Sequence, residues 1–168
     1  MFLRAYRPED KQALQQLFFL TVHTVNDHDY TPAQLAVWAP VMPDRRFWSQ
    51  LDDQICFVVE NQRLPVGFIS VAADGALGFL YVHPDFQGKG IASALYKQVE
   101  RLARKRGFGH LEALASITAR LFFQKKGFLF VEEVRETRQN VHFLHYKMAK
   151  SLLLPDAATK GLERAHSG

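Results

Sequence analysis

The sequence predicts an α/β (more narrowly α+β) domain in which helices flank a mixed, mostly antiparallel sheet of about six or seven strands. One observation is the strand–turn–helix unit from Gly78 to Gly107. Another is a set of apolar segments separated by the turn residues 61–63 and 74–75, which is typical of an antiparallel meander. A third is the length of 168 residues, which suits one hydrophobic core. We expect one domain over residues 1–150 and a flexible tail over residues 151–168.

The composition excludes several classes of protein. Hydrophobic residues make up 48% of the chain, which excludes a disordered protein. The chain contains no apolar run of membrane-spanning length and only one cysteine, from which we expect a cytoplasmic protein without a membrane partner. The single cysteine, Cys56, excludes an internal disulfide framework and lies in an apolar strand, where a buried structural thiol is expected. The net charge of +4 suits a polyanionic ligand and does not require nucleic acid.

The first third of the chain predicts a strand followed by helices. Alternating residues from Phe2 predict a strand, and Pro8 with the acidic residues after it predicts the start of a helix that ends near Val25. Thr31 is a plausible N-cap for a short helix that runs to Trp38. A further short helix is expected over residues 44–51.

The middle of the chain predicts three consecutive strands. Ile55–Glu60 and Leu64–Ala72 form a hairpin, and Leu77–Val82 follows the tight-turn signal Asp74-Gly75. Such a meander argues against a Rossmann fold, in which strands and helices alternate from the start.

The remaining elements alternate between helix and strand. A helix is predicted over Ile91–Arg106, because apolar residues recur on one face and Gly107 can cap its end. The strand His110–Ala115 and the helix Ala119–Lys126 come next. Two final strands, 131–136 and 141–148, complete the domain.

The turn between the strand at Leu77–Val82 and the helix at Ile91 predicts an anion site. The first N–H groups of a helix lack partners within the helix and favour negative charge. Gly88 and Gly90 let an oxygen-rich ligand approach the backbone, and Lys89 adds a positive charge. A phosphate or a pyrophosphate is the natural ligand for such a nest of N–H groups.

Other interpretations of this turn remain open from the residues alone. The glycines could serve only the connection between strand and helix. Residues 88–93 also form an imperfect GxGxxG, with Glu112 at a suitable distance for a ribose contact, which would indicate a nucleotide-binding module. A P-loop is excluded, because no Gly-Lys-Ser/Thr follows a first glycine at the required spacing.

Two motifs resemble the GNAT superfamily of N-acetyltransferases. Residues 82–92 read Val-x-Pro-x-x-Gln-x-x-Gly-x-Ala, which resembles its acetyl-coenzyme A signature. Residues 116–128 read Ser-x-x-Ala-x-x-Phe-Phe-x-x-x-Gly-Phe, which is similar to its Asn-x-x-Ala-x-x-Phe-Tyr-x-x-x-Gly-Phe motif. The runs 30–38 and 115–119 also resemble a bacterial, YafP-like subgroup of that superfamily.

The resemblance implies a GNAT fold, splayed between the fourth and fifth strands, that binds acetyl-coenzyme A as acyl donor. It implies transfer of an acetyl group to a primary amine, of a small molecule or of a protein, by direct attack on the thioester. Cofactor contacts carried over by motif are Leu80, Tyr81, Val82, Gln87, Gly88, Lys89, Gly90, Ile91, Ala92, Ser93, Ser116 and Phe123. Of these, Tyr81 belongs to the strand end whose backbone polarises the thioester, so it is also a catalytic candidate.

The sequence departs from the family at the general acid. The tyrosine that protonates the leaving thiolate aligns with Phe123, which prompts the alternative of a non-catalytic sensor of acyl-coenzyme A. Glu112 is the candidate base, as the nearest carboxylate on the fifth strand, and a water chain that ends at a histidine could replace it. Candidate acceptor contacts are His28, Tyr30 and Trp38. We expect no metal site, and a monomer or a homodimer.

Overall fold

The computed structural model describes residues 1–153. The N-terminal half forms an antiparallel four-stranded sheet in the order β1-β2-β3-β4. Its strands are β1 (Phe2–Ala5), β2 (Ile55–Asn61), β3 (Leu64–Val71) and β4 (Leu77–Val82). The sheet contains the predicted meander, and β1 is added at the free edge of β2.

The C-terminal half forms a three-stranded antiparallel sheet in the order β5-β7-β6. Its strands are β5 (His110–Ala115), β6 (Leu129–Arg138) and β7 (Val141–Ser151). Gln139 and Asn140 join β6 to β7 with φ values of 49° and 61°. Positive φ at both turn residues gives the backbone twist that favours a tight hairpin between long strands.

Helices cover the two faces of these sheets. They are α1 (Lys11–Val25), α2 (Pro32–Trp38), α3 (Arg45–Trp48), α4 (Gln50–Asp53), α5 (Ile91–Lys105) and α6 (Arg120–Lys125). Thr31 caps α2 as predicted, because its side chain accepts a hydrogen bond from the Gln34 N–H at 3.2 Å. Within residues 1–153, every helix is too short or too polar to cross a lipid bilayer.

The two sheets touch at one end and separate at the other. Ala76 and Glu112 form an isolated parallel bridge, and the Glu112 N–H donates to the Gly75 carbonyl at 2.9 Å. Gly75 has a φ of +91°, and a Cβ there would lie 2.4 Å from the His110 carbonyl oxygen. Only glycine permits this approach, which holds the start of β4 against β5. Toward the end of β4 the strands diverge, so the predicted splay is confirmed.

Two apolar cores lie on opposite faces of the sheets. One core packs α5 and α6 against both sheets, around Leu95, Val99 and Met148. The other packs α1 and α2 against the opposite face. It contains an aromatic cluster, defined as Phe18, Phe47, Trp48, Phe68, Phe79 and Tyr81, in which Trp48 and Phe79 stack at 5.1 Å. This cluster supports β4 from the side opposite α5.

Some predicted boundaries differ from the structure. The helix expected over residues 44–51 is divided at Ser49 into α3 and α4. The last two strands are longer than predicted, and β7 continues to Ser151, which pairs with His110. Leu152 is buried, so the folded chain extends past the predicted boundary at residue 150. Residues 154–168 of the expected tail lie outside the described residues.

An ion pair ties β1 to the start of α1 and makes stability depend on pH. Arg4 donates to both carboxylate oxygens of Asp10, at 2.8 and 2.9 Å. Burial alone would raise the pKa of Asp10, but the Arg4 guanidinium and the Arg7 N–H outweigh it and lower the pKa below its usual value. Stability from this carboxylate is therefore present above its unfolded-state pKa of about 3.9 and is lost as pH falls through the lower folded-state value.

We therefore expect Asp10→Asn to cost about 2 kcal/mol at pH 7, because charged hydrogen bonds are lost. The cost should shrink toward zero as the pH falls through the lowered folded-state pKa of Asp10. Urea unfolding of both proteins across this pH range measures the difference. A cost that is the same at pH 7 and at low pH would contradict the assignment.

Candidate active site

A cleft of about 600 Å³ opens where β4 and β5 separate. Its walls come from the strands β4 to β7 and from each of the helices α1 to α6. Predicted site residues in this lining are Trp38, Leu80, Tyr81, Val82, Gln87, Ala92, Ser116 and Phe123. The cleft therefore brings together residues of both GNAT-like motifs, which are far apart in the sequence.

The backbone of β4 directs two N–H groups toward this cleft that do not pair with β3. The His83 N–H donates to the Val66 carbonyl at 2.8 Å. Because hydrogen-bonded and non-bonded pairs alternate along an antiparallel ladder, Tyr81 directs its backbone toward Phe68 of β3. Leu80 and Val82 then direct their N–H and C=O groups away from β3. The amides of these two residues are the donors that face the gap.

The Val82 carbonyl is already used to fix the neighbouring elements. It accepts from the Thr21 hydroxyl of α1 at 3.1 Å and from the Gln87 Nε2 at 2.6 Å. The sequence motif placed Gln87 among the cofactor contacts. The structure shows its side chain holding the turn against the end of β4, so that the following N–H groups stay in place.

The turn after β4 forms a nest of backbone N–H groups. Gly88 and Gly90 have φ values of +71° and +79°, and a Cβ at either position would meet nothing within 4 Å. Within residues 1–153, the N–H groups from Gly88 to Ser93 have no hydrogen-bond acceptor. Lys89 adds a cation, with Nζ 4.9 Å from the centre of the Phe86 ring. The nest fits the oxygen atoms of a diphosphate.

Close packing keeps this nest next to the open end of β4. A Cβ on Gly67 of β3 would lie 2.8 Å from Ile91 Cγ2 and 3.3 Å from Leu95 Cδ1. The glycine therefore lets the first turn of α5 pack directly on the sheet. Ile91, predicted as a cofactor contact, has a buried side chain, so only its backbone is available to a ligand.

The loop after β5 is held by the loop that follows α1. Tyr30 accepts a hydrogen bond from the Ile117 N–H at 2.8 Å, and Thr118 donates to Asp29 at 2.8 Å. The Ser116 hydroxyl accepts from the Ala119 N–H at 3.1 Å and thereby starts the turn into α6. Tyr30 is buried and is absent from the cleft lining within residues 1–153. It positions the Ser116 loop, and its contact with the acceptor stays a prediction.

Two other predicted residues also lie away from the cleft. His28 is exposed, with Nε2 3.6 Å from Asp27. Glu112 lies at the closed end, where its carboxylate is 3.8 Å from Lys147 Nζ. Within the described residues neither belongs to the cleft lining, so its proposed role gains no geometric support.

Burial keeps two titratable side chains, Tyr81 and Cys56, in their neutral forms. Burial raises the pKa of Tyr81, whose hydroxyl accepts from Trp38 Nε1 at 3.3 Å. Burial also raises the pKa of Cys56 to about 12, so it remains a thiol at neutral pH.

Phe123 is buried against Phe122 and Phe128, with ring centres at 5.4 and 5.1 Å. Among residues 1–153, no three His, Cys, Asp or Glu side chains are grouped to hold a metal.

Sequence reasoning missed a histidine–carboxylate pair in the cleft wall. His145 Nε2 lies 2.9 Å from Glu136 Oε1, and His145, Phe143 and Arg138 all line the cleft. The available signal was strand alternation on β6 and β7. It shows that His145 shares a face with Phe143, but the register of the hairpin is needed to bring Glu136 beside it.

We expect Gln87→Ala to weaken the binding of coenzyme A about fivefold, because losing a hydrogen bond worth about 1 kcal/mol loosens the turn. Isothermal titration calorimetry measures the change. Gln124→Ala, at an exposed position of α6, is the matched control and should bind as the unmodified protein does. Equal affinities for all three proteins would show that the Gln87 contact does not support the nest.

Comparison with known proteins agrees with this geometry. Residues 26–152 match the family model described as an acetyltransferase (GNAT) domain. The chain is 31% identical over 146 residues to the uncharacterized N-acetyltransferase YafP of Escherichia coli K12, covering 87% of this chain and 93% of YafP.

Solved structures show the same fold. A GCN5-related N-acetyltransferase from Rhodopseudomonas palustris has a TM-score of 0.85 and 30% identity, covering 90% of this chain and 95% of that one. The PaiA N-acetyltransferase of Thermoplasma acidophilum, solved with coenzyme A, has a TM-score of 0.68 and 18% identity, covering 90% and 99%. The match to the family model and the relationship to YafP show that this chain belongs to the GNAT superfamily of acetyltransferases, as its motifs predicted.

Proposed function

We propose that this chain transfers the acetyl group of acetyl-coenzyme A to a primary amine by direct attack on the thioester. The observation that carries the proposal is the open nest at residues 88–93 beside the free amides of Leu80 and Val82. A diphosphate in the nest would direct the rest of the donor along β4 into the gap. The complex of a GNAT relative with coenzyme A supports this choice of donor.

The residues at the end of β4 supply positioning and electrostatic stabilisation. Acetyl-coenzyme A provides the activated acetyl group, and an N–H of Leu80 or Val82 donates to its carbonyl oxygen as negative charge develops there. Tyr81 contributes through its place in the strand, since its own backbone is paired with β3. Holding donor and acceptor together in the cleft removes the entropic cost of their encounter.

The leaving thiolate needs no strong acid. Phe123 has no proton to give, and thiols have an ordinary pKa near 8.5, so a thiolate departs at near-neutral pH without protonation. The proton that the amine loses when the amide forms can then pass to the thiolate. Ser116 lies in the cleft lining where the family motif places its asparagine, and we assign it a contact to the donor.

The acceptor enters from the side of α2. A second cavity of about 580 Å³ lies between α1 and α3 and shares Trp38, Phe47 and Arg138 with the cleft. An amine that reaches the thioester from this cavity would pass the Trp38 indole, which agrees with the predicted acceptor contact. Both a small molecule and a protein terminus can present such an amine. The buried lone thiol Cys56 suits a cytoplasmic location.

Calorimetry and thiol release test the proposal together. We expect heat on titration with acetyl-coenzyme A, and release of free coenzyme A thiol with at least one amine of a panel of spermidine, kanamycin, phenylalanine and an alanine-initiated peptide. Absence of heat at millimolar ligand would overturn the proposal. Binding without turnover on any amine would favour the second candidate, a non-catalytic acyl-coenzyme A sensor, which the buried Phe123 at the acid position suggests.

A further inference from the structure

The cleft is lined by a histidine, His145, whose second ring nitrogen has no hydrogen-bond partner among residues 1–153. His145 lies on β7 with a side chain that is 13% exposed, and its Nε2 is 2.9 Å from Glu136 Oε1. Its Nδ1 is buried and makes no hydrogen bond within the described residues. A buried polar atom without a partner costs about 1–3 kcal/mol, and a ligand that donates a hydrogen bond to it would remove this cost.

The contact with Glu136 determines which nitrogen carries the proton. A carboxylate only accepts hydrogen bonds, so the neutral imidazole places its hydrogen on Nε2 and its lone pair on Nδ1. The ring is held in this orientation by parallel stacking on Phe143, with centres 6.0 Å apart and planes 4° apart. The lone pair on Nδ1 is therefore fixed in position before any ligand binds.

We propose that His145 is the general base that takes a proton from the acceptor ammonium, and that Glu136 is a positioning residue that orients the imidazole. This inference rests on the acetyl transfer proposed above and names the base for it. His145 Nδ1 accepts the proton, which leaves a neutral amine with a free electron pair. That pair forms the C–N bond to the thioester carbon, and the C–S bond then breaks.

The protons of this step balance. One proton of the ammonium goes to His145 Nδ1 and is released to solvent after the acetylated product has left the cleft. The second leaves nitrogen when the amide forms and goes to the departing thiolate. Glu136 stabilises the imidazolium between these events, because its carboxylate lies against Nε2.

Each strand near His145 contributes a different charged or titratable group. On β6, Arg138 Nη2 donates to the same Glu136 oxygen at 2.7 Å, so Glu136 shares its charge between two cations when the imidazole is protonated. On β7, Lys147 follows on the same face and lies near Glu112 of β5. On β4, the Tyr81 hydroxyl stays protonated because burial raises its pKa.

The test measures kcat, KM and donor binding across pH for His145→Ala, with the amine that the unmodified protein acetylates fastest in the panel. We expect kcat to fall at least about 100-fold near neutral pH, with acetyl-coenzyme A affinity unchanged. The deficit should shrink at alkaline pH, where the free amine no longer needs a base. His142→Ala, at an exposed position three residues earlier, is the matched control and should keep full activity.

Glu136 variants separate positioning from simple structural support. Glu136→Gln should lower kcat about tenfold, leave KM unchanged and move the acid limb of the pH profile to lower pH, because the imidazolium loses its negative neighbour. Glu136→Asp should recover part of kcat. A purely structural role would lower donor affinity or thermal stability and leave the pH profile in place.

The outcomes distinguish this inference from the proposed function. An active unmodified protein whose His145→Ala variant has the same kcat at every pH would overturn the assignment of the base alone. An unmodified protein that acetylates no amine of the panel would overturn both. A deficit in His145→Ala that is constant with pH and matched by weaker acetyl-coenzyme A binding would also contradict a role as base.

Discussion

Gly90→Asp should weaken the binding of acetyl-coenzyme A at least about 1000-fold, because it puts a carboxylate in the nest where we propose that the diphosphate binds. Two like charges about 4 Å apart repel by roughly 4 kcal/mol near a protein surface, which corresponds to about this factor. The fold should survive, since a Cβ at this position meets nothing within 4 Å. Aspartate also tolerates the left-handed conformation better than most residues do. Calorimetric titration with acetyl-coenzyme A measures the loss.

The chain offers a matched control at the other end of the same helix. Gly107 has a φ of +76° and equally open surroundings, but it follows the C-terminus of the 15-residue helix α5. Gly107→Asp should bind the donor normally, because the nest lies about 22 Å away. Gly90→Ala adds a Cβ without a charge and therefore separates the effect of charge from that of backbone strain. It should weaken the binding of acetyl-coenzyme A much less than Gly90→Asp does. Unchanged affinity for acetyl-coenzyme A in Gly90→Asp would contradict the binding of the diphosphate at this turn.

Phe68→Ala should lower the free energy of unfolding by about 4 kcal/mol, as expected for truncating a fully buried phenylalanine. Phe68 lies on β3 with no exposed surface, opposite Tyr81 of β4. Its ring centre is 5.5 Å from that of Phe79 and 5.9 Å from that of Tyr81. Removing it leaves a cavity under the strand that presents the free amides. Urea unfolding measures the change.

Phe130→Ala is the control for this prediction, because the same truncation is made at a half-exposed ring on β6. It should cost about 1 kcal/mol or less. If both variants lost the same stability, the aromatic cluster would not be the support of β4 that its packing indicates.

Local signals in the sequence predicted most of the fold. The turn residues Asp74-Gly75 and the apolar runs on either side were sufficient for the meander, because a tight turn and strand alternation depend only on neighbouring residues. The division of the 44–51 segment into α3 and α4 was missed. Both helices satisfy local helix signals, and the bend at Ser49 brings Trp48 and Leu51 into the core together.

The nest in which we propose that the cofactor binds was predictable for a similar reason. The nest at residues 88–93 is made from consecutive backbone groups, so its glycines reveal it directly. The orientation of the β4 amides was harder to predict from the sequence, because it depends on the register of β4 with β3. That register directs Leu80 and Val82 into the gap and pairs Tyr81 with Phe68.

The catalytic and acceptor sides depend on contacts between distant segments. Glu112 was chosen as the nearest carboxylate on β5, but the bridge to Ala76 places it at the closed end of the sheets. Tyr30 was expected to contact the acceptor, and only the structure shows that its hydroxyl also accepts from the Ile117 N–H, 87 residues away. The Glu136–His145 pair depends on the register set by the turn at Gln139 and Asn140. None of these placements is encoded by spacing along the chain.

A crystal structure of this chain with coenzyme A is the most direct test of the account. We expect the diphosphate oxygens to accept hydrogen bonds from the N–H groups of Gly88–Ser93 and the thiol to lie in the gap between β4 and β5. Coenzyme A bound elsewhere, with these amides facing solvent and the gap empty of its pantetheine arm, would contradict it.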